Sequence, residues 1–90
     1  MKAHIKKQVQ NRLKRIEGQV RGLQRMVESE KYCIDIIGQS NAIKEALASV
    51  ENLMLENHLS THMLEQMKGG KEKRAVEEIL KVYKLTQRKK

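Results

Sequence analysis

The sequence predicts an all-helical chain, and three observations carry that prediction. Proline is absent and only two residues are aromatic, so the turn signals and strand-favouring side chains of a sheet are scarce. Apolar residues recur at steps of three and four rather than two. The strongest punctuation is the doublet Gly69-Gly70, which reads as a helix end.

The first helix is expected over residues 2–28. Ile5, Val9, Leu13, Ile16, Val20, Leu23 and Val27 form a stripe like that of a coiled coil. Gly18 and Gly22 weaken this helix somewhat but permit close backbone approach. The stripe stops at Glu28-Ser29-Glu30, where Ser29 is placed to cap a second helix. That helix is expected over 31–67, with Ile36, Ser40, Ile43, Leu47, Val50 and Met54 in alternating steps of four and three. Ala42, Ala46 and Ala48 support it, and Gly38 is its weak point. A third helix over 71–86 carries Val76, Ile79, Leu80 and Tyr83. The polar tail from Thr86 to Lys90 is expected to fray.

Ninety residues form one domain, 1–90, without internal repeats. A domain this small buries little surface by itself. Cys33 is the only cysteine, so no intrachain disulfide reinforces the core and oligomerisation is the expected remedy. No apolar run is long enough to span a membrane, and the stretch from Met1 to Lys7 lacks the apolar centre of a secretory signal. A cytoplasmic chain is the expectation, and a lone cysteine fits a reducing compartment.

The formal net charge of +8 is unevenly spread: +6 over residues 1–28, −3 over 29–64 and +5 over 65–90. Basic ends around an acidic middle point to a polyanion met by the ends, although such charge also serves solubility. With no Phe or Trp there are few stacking platforms, which disfavours single-stranded nucleic acid. No nucleophile–base pair or phosphate-cradling glycine loop suggests an enzyme.

His58 and His62 are four residues apart, which places both imidazoles on one helical face. Such a pair holds a metal ion in some proteins and is ordinary surface in many; a lone cytosolic cysteine is commonly a small buried apolar residue. Their relative positions say more. Cys33 precedes His58 by 25 residues. At about 100° per residue the two side chains fall within about 20° of one face, yet they stand roughly 37 Å apart along the axis. One straight helix cannot bring them together. Two helices paired antiparallel, with a two-fold axis near residues 46–47, set Cys33 of one chain beside His58 and His62 of the other and create two identical sites. One thiolate with two imidazoles suits Cu(I) or Zn(II), and the imidazoles also suit Ni(II). With Cu(I) the set is electrically neutral, which makes partial burial tolerable.

Three stretches resemble the CsoR family of copper-sensing repressors: Asn11-Arg12-Leu13-Lys14-Arg15-Ile16-Glu17-Gly18-Gln19-Val20-Arg21-Gly22; Tyr32-Cys33-Ile34-Asp35-Ile36 with Gln39-Ser40-Asn41-Ala42; and Asn57-His58-Leu59 with His62. The resemblance spans roughly residues 8–85. It implies three helices, an antiparallel dimer and a dimer-of-dimers tetramer. It further implies a repressor that binds double-stranded operator DNA without metal and leaves it when Cu(I) binds Cys33, His58 and His62. Tyr32 and Glu78 match positions that support the copper site, with Glu78 placed to accept the free N–H of His58. Without the resemblance, Glu78 reads as a solvated carboxylate beside Glu77 and Tyr32 as packing.

Two departures qualify the match. Copper members mostly carry a second cysteine where this chain has His62, which makes the site harder and resembles a nickel/cobalt branch; Ni(II), Co(II) or Zn(II) are therefore alternatives. That branch also uses an N-terminal histidine whose register falls near Met1, whereas His4 lies about one turn away. Ser49 replaces a basic residue that some members use on DNA, and Lys44 is its partial substitute. Persulfide-sensing relatives need a second cysteine and formaldehyde-sensing ones an N-terminal proline, both absent here. The implied DNA surface is a basic face with Lys7, Arg12, Lys14, Arg15 and Arg21 on the first helix and Lys73 and Arg74 on the third; each also reads as ordinary solvated surface. A metal-independent architectural DNA-binding protein is the remaining alternative.

Overall fold

The computed structural model describes residues 1–86, and the tail beyond lies outside the described residues. Every regular element in this span is helical: α1 (Ala3–Glu28), α2 (Cys33–Ser60), α3 (His62–Lys68) and α4 (Glu72–Thr86). The expected second helix is thus present in two pieces. The interruption is Thr61, at φ −128° and ψ −83°. Ser60-Thr61 is a weak helix-forming pair, because β-branching and hydroxyls that compete for backbone partners both weaken the helix, whereas α2 runs unbroken through Gly38, the expected weak point. Among the described residues no helix is long and apolar enough to cross a membrane.

Two compact units divide the chain, Met1–Asn57 and the part from His58 onward. In the first, α1 and α2 run antiparallel. The Lys2 N–H donates to Asn57 Oδ1 at 2.9 Å, and Gln39 Nε2 donates to the Gln19 carbonyl at 3.5 Å. Ile5, Val9, Ile16 and Ile43 are buried. Ile36, Ile43, Val50 and Asn57 recur every seven residues along α2 and are buried or half-buried. Leu47 and Met54 belong to a neighbouring row and remain exposed, as do Leu13, Val20 and Val27 on α1. The apolar stripes are therefore only partly used within one chain. Ile43, which the spacing put near a two-fold axis, is consumed by its own unit, whereas Leu47 stays available. These exposed apolar rows are surface that one chain alone leaves uncovered.

The turn between α1 and α2 differs from expectation in one respect. Ser29 closes α1 instead of opening α2: its N–H and its Oγ–H both donate to the Arg25 carbonyl, at 3.0 and 2.9 Å. Glu30 then adopts φ 51°, with Glu30 N–H on the Val27 carbonyl and Lys31 N–H on the Met26 carbonyl. This is the left-handed closure that usually selects glycine. α2 starts from Tyr32, whose carbonyl accepts from Asp35 and Ile36 at 3.0 and 3.2 Å.

In the second unit, the end of α3 uses the same closure with the residue that suits it. Gly70 sits at φ 75°, and Lys71 N–H reaches the Gln66 carbonyl at 2.7 Å. The chain turns there and α4 packs against α3 through buried Ala75. Ile79 is half-buried, while Val76, Leu80 and Tyr83 of the expected α4 stripe are exposed.

Candidate metal centre

His58 lies in the last turn of α2, and His62 is the first residue of α3. The break at Thr61 falls between them but keeps the rings together: their centroids are 5.6 Å apart and inclined at 58°. A metal bound to an imidazole nitrogen at about 2 Å stands roughly 3 Å from the ring centroid, so two rings on one ion have centroids at most roughly 6 Å apart. The observed spacing fits a shared ion. Among the described residues of a single chain, no three His, Cys, Asp or Glu side chains converge to hold a metal. An ion shared by this pair would take two ligands from it.

Glu78 reaches this pair from α4. Its Oε2 is 3.1 Å from His58 Nε2. Its Oε1 accepts from Gln66 Nε2 at 3.1 Å and from Arg74 Nε at 3.2 Å. The Gln66 hydrogen bond does most to hold the Glu78 carboxyl below its ordinary value; desolvation opposes it, and the Arg74 bond and the charges of His58 and Arg74 add to it. His58 Nε2 is close to the carboxylate but lacks an aligned hydrogen bond, and Gln66 Oε1 is likewise buried without one. With Nε2 turned to the carboxylate, Nδ1 is the nitrogen left to serve as a ligand. A cleft of about 450 Å³ opens here, lined among others by His58, His62, Gln66, Lys71, Arg74 and Glu78.

Cys33 is the first residue of α2, a free and exposed thiol rather than the small buried apolar residue a lone cysteine often is. Tyr32 beside it is 72% exposed. His4 is exposed in the first turn of α1. Of the basic candidates, Lys7, Lys14, Arg15, Arg21, Lys73 and Arg74 are exposed and Arg12 is half-buried. Lys7, Lys14 and Arg21 are seven residues apart and make one row along α1. Arg21 pairs with Glu17 at 3.5 Å on the surface, and Arg74 with Glu78. Ser49 Oγ donates to the Ala46 carbonyl at 2.7 Å, and Lys44 is exposed.

One residue went unremarked in the sequence, and another was named there only as part of a motif. Gln66 stands one turn beyond His62, and that spacing was a usable signal. Asn57 reads as an ordinary helix residue, yet its side chain is buried at 3% exposure and receives the start of α1.

Residues 5–84 match the family model described as metal-sensitive transcriptional repressor. The chain is 46% identical over 79 residues to the copper-sensing transcriptional repressor CsoR of Bacillus subtilis, covering 88% of this chain and 78% of that protein. It is 55% identical over 49 residues to the copper-sensing transcriptional repressor RicR of Mycobacterium tuberculosis, covering 54% of this chain and 51% of that protein. The fold is similar to the crystal structure of the copper-sensing repressor CsoR with Cu(I) from Geobacillus thermodenitrificans. The TM-score is 0.88 at 38% identity, over 98% of this chain and 92% of that one.

Proposed function

Because the chain belongs to the CsoR family of metal-sensitive transcriptional repressors, we propose that it is a cytoplasmic repressor that binds operator DNA without metal and releases it on binding Cu(I). The family is one of repressors, not enzymes. The observation that carries the reading is the geometry around His58: its ring pairs with His62 at 5.6 Å while its Nε2 faces Glu78 at 3.1 Å on another helix. A ligand histidine that touches the carboxylate of a neighbouring helix has a direct route for signalling its own state.

His58 and His62 supply two ligands, and Cys33 of a second chain supplies the third in an antiparallel homodimer. The exposed rows on α1 and α2 provide the dimer face, and pairs of dimers assemble into a tetramer over the single domain 1–90. A metal ion held by these residues would link the two chains by coordination. A His58 that ligates through Nδ1 would carry its proton on Nε2 and present that N–H to Glu78. Because Glu78 is on α4, His58 thereby biases the helix that carries Lys73 and Arg74. Tyr32 packs beside Cys33 at the start of α2. Lys7, Arg12, Lys14, Arg15 and Arg21, together with Lys73 and Arg74, meet the phosphates, and affinity falls steeply with salt.

Cu(I) is favoured by the names of the relatives and by the Cu(I) bound in the similar structure. The two imidazoles favour a second reading, a Ni(II)- or Co(II)-released repressor on the same scaffold. Operator-binding anisotropy under reducing conditions, titrated separately with Cu(I), Ni(II), Co(II) and Zn(II), decides between them. Release by Cu(I) at the lowest free metal concentration is the expected result. Release by none of the four refutes the sensor reading.

A further inference from the structure

The two oxygens of Glu78 keep different company. Oε2 faces His58 Nε2, and that contact is incomplete: the nitrogen is buried and close, but no aligned hydrogen bond satisfies it. Oε1 is fully engaged by Gln66 Nε2–H and Arg74 Nε–H. Hydrogen bonds weaken steeply away from alignment, so a carboxylate that rotates to complete the first contact loosens the second. Arg74 is held side-on through Nε while its side chain stays 65% exposed. A guanidinium fixed at Nε keeps both terminal amino groups available and fixes the direction of its fork, the condition for two parallel bonds to a phosphate.

We propose that Glu78 orients Arg74 for phosphate binding in the metal-free protein and gives up that hold when His58 becomes a ligand. The inference rests on the metal-released repressor reading and names its output residue. A histidine that ligates through Nδ1 must carry its proton on Nε2. Nε2–H then donates to Glu78 Oε2, the carboxylate turns to align, and Oε1 withdraws from Arg74. Gln66 follows the same change, because its Nε2–H sits on the same carboxylate oxygen. His58 thus acts on the carboxylate directly. Released from Glu78, the arginine regains its rotamer freedom, and every phosphate contact it makes must then overcome the entropy of ordering it.

The test uses the full chain and a fluorescein-labelled duplex selected from random-sequence DNA by the metal-free protein. Wild-type affinity is expected to differ about 5- to 150-fold between the metal-free and Cu(I)-loaded states. Arg74→Lys keeps the charge but has no guanidinium fork to hold, and shrinks that ratio at least about fivefold without changing Cu(I) stoichiometry. The Arg74 Nε–H resonance in nitrogen-edited NMR spectra gives a second readout, and moves when Cu(I) is added. A lysine variant with the wild-type ratio, or an Nε–H resonance indifferent to Cu(I), overturns the relay. A wild-type protein that holds the duplex equally with and without Cu(I) fails one step earlier and removes the repressor reading itself.

Discussion

Replacing Asn57 with Ala perturbs the one buried polar side chain among the described residues. Its Oδ1 accepts the Lys2 N–H at 2.9 Å, and α1 has no side-chain cap of its own at that end. Two costs follow from Asn57→Ala. The hydrogen bond itself contributes about 1 kcal/mol net, and a donor left unsatisfied in the interior costs about 1–3 kcal/mol. Lys2 is exposed just ahead of α1, whose first turn can fray and let water take the orphaned N–H. That escape holds the total to about 1–2 kcal/mol, at the lower end of the unsatisfied-donor range. For a chain of this length each kcal/mol moves the midpoint by about 4–8 °C. Thermal unfolding of the metal-free protein, at one fixed concentration because association contributes to stability, should show a drop of about 4–16 °C. Hydrogen exchange should locate the damage in the first turn of α1, around Lys6, and leave α4 unchanged. A midpoint within a degree of wild type, or loss of protection spread evenly over the chain, would mean that Asn57 does not hold the start of α1.

Glu78→Ala should leave Cu(I) stoichiometry intact and bring the ratio of metal-free to loaded DNA affinity close to one; full release with this variant removes Glu78 from the signal. Glu30→Gly and Gly70→Ala should act in opposite directions, since both positions close a helix at positive φ: about 0.5–1 kcal/mol gained at Glu30 and about 1 kcal/mol lost at Gly70, read from urea midpoints. The Glu78 carboxyl titrates below its ordinary 4.5. The stabilisation it contributes is complete above 4.5 and lost as pH falls through its lower folded value. The Gln66 side-chain amide should therefore shift in NMR spectra with a midpoint below pH 4.5; a midpoint at or above that value contradicts the bonded geometry.

Much of the fold was legible because helix periodicity is local. Ile5, Val9 and Ile16 of the predicted α1 stripe are its buried residues, and Gly70 ends α3 where the glycine doublet placed an end. What escaped depends on competition between neighbours. Ser29 fits either helix of the turn, and only the backbone partner at Arg25 assigns it to α1. Thr61 breaks a segment whose alanines and leucines argue for continuity, because composition averages over a window while a break needs one residue. At the candidate site, the shared face of His58 and His62 follows from their spacing. The approach of Glu78 depends on how α4 returns after Gly70, and the resemblance rather than any periodicity singled it out. Gln66 and Asn57 are uncharged amides whose importance comes from burial, which a polar residue type does not announce.

The antiparallel sharing of ligands is tested most directly by mixing two defective chains, Cys33→Ala and His62→Ala. Neither has a complete ligand set alone. A mixed dimer joins the intact Cys33 of one chain to the intact histidines of the other and rebuilds one of its two sites. Unfolding and refolding an equal mixture should restore about a quarter of wild-type Cu(I) binding, the share expected from random pairing in a two-fold dimer. Mixed dimers that form but bind no Cu(I) would place the three ligands in some other arrangement and contradict the account.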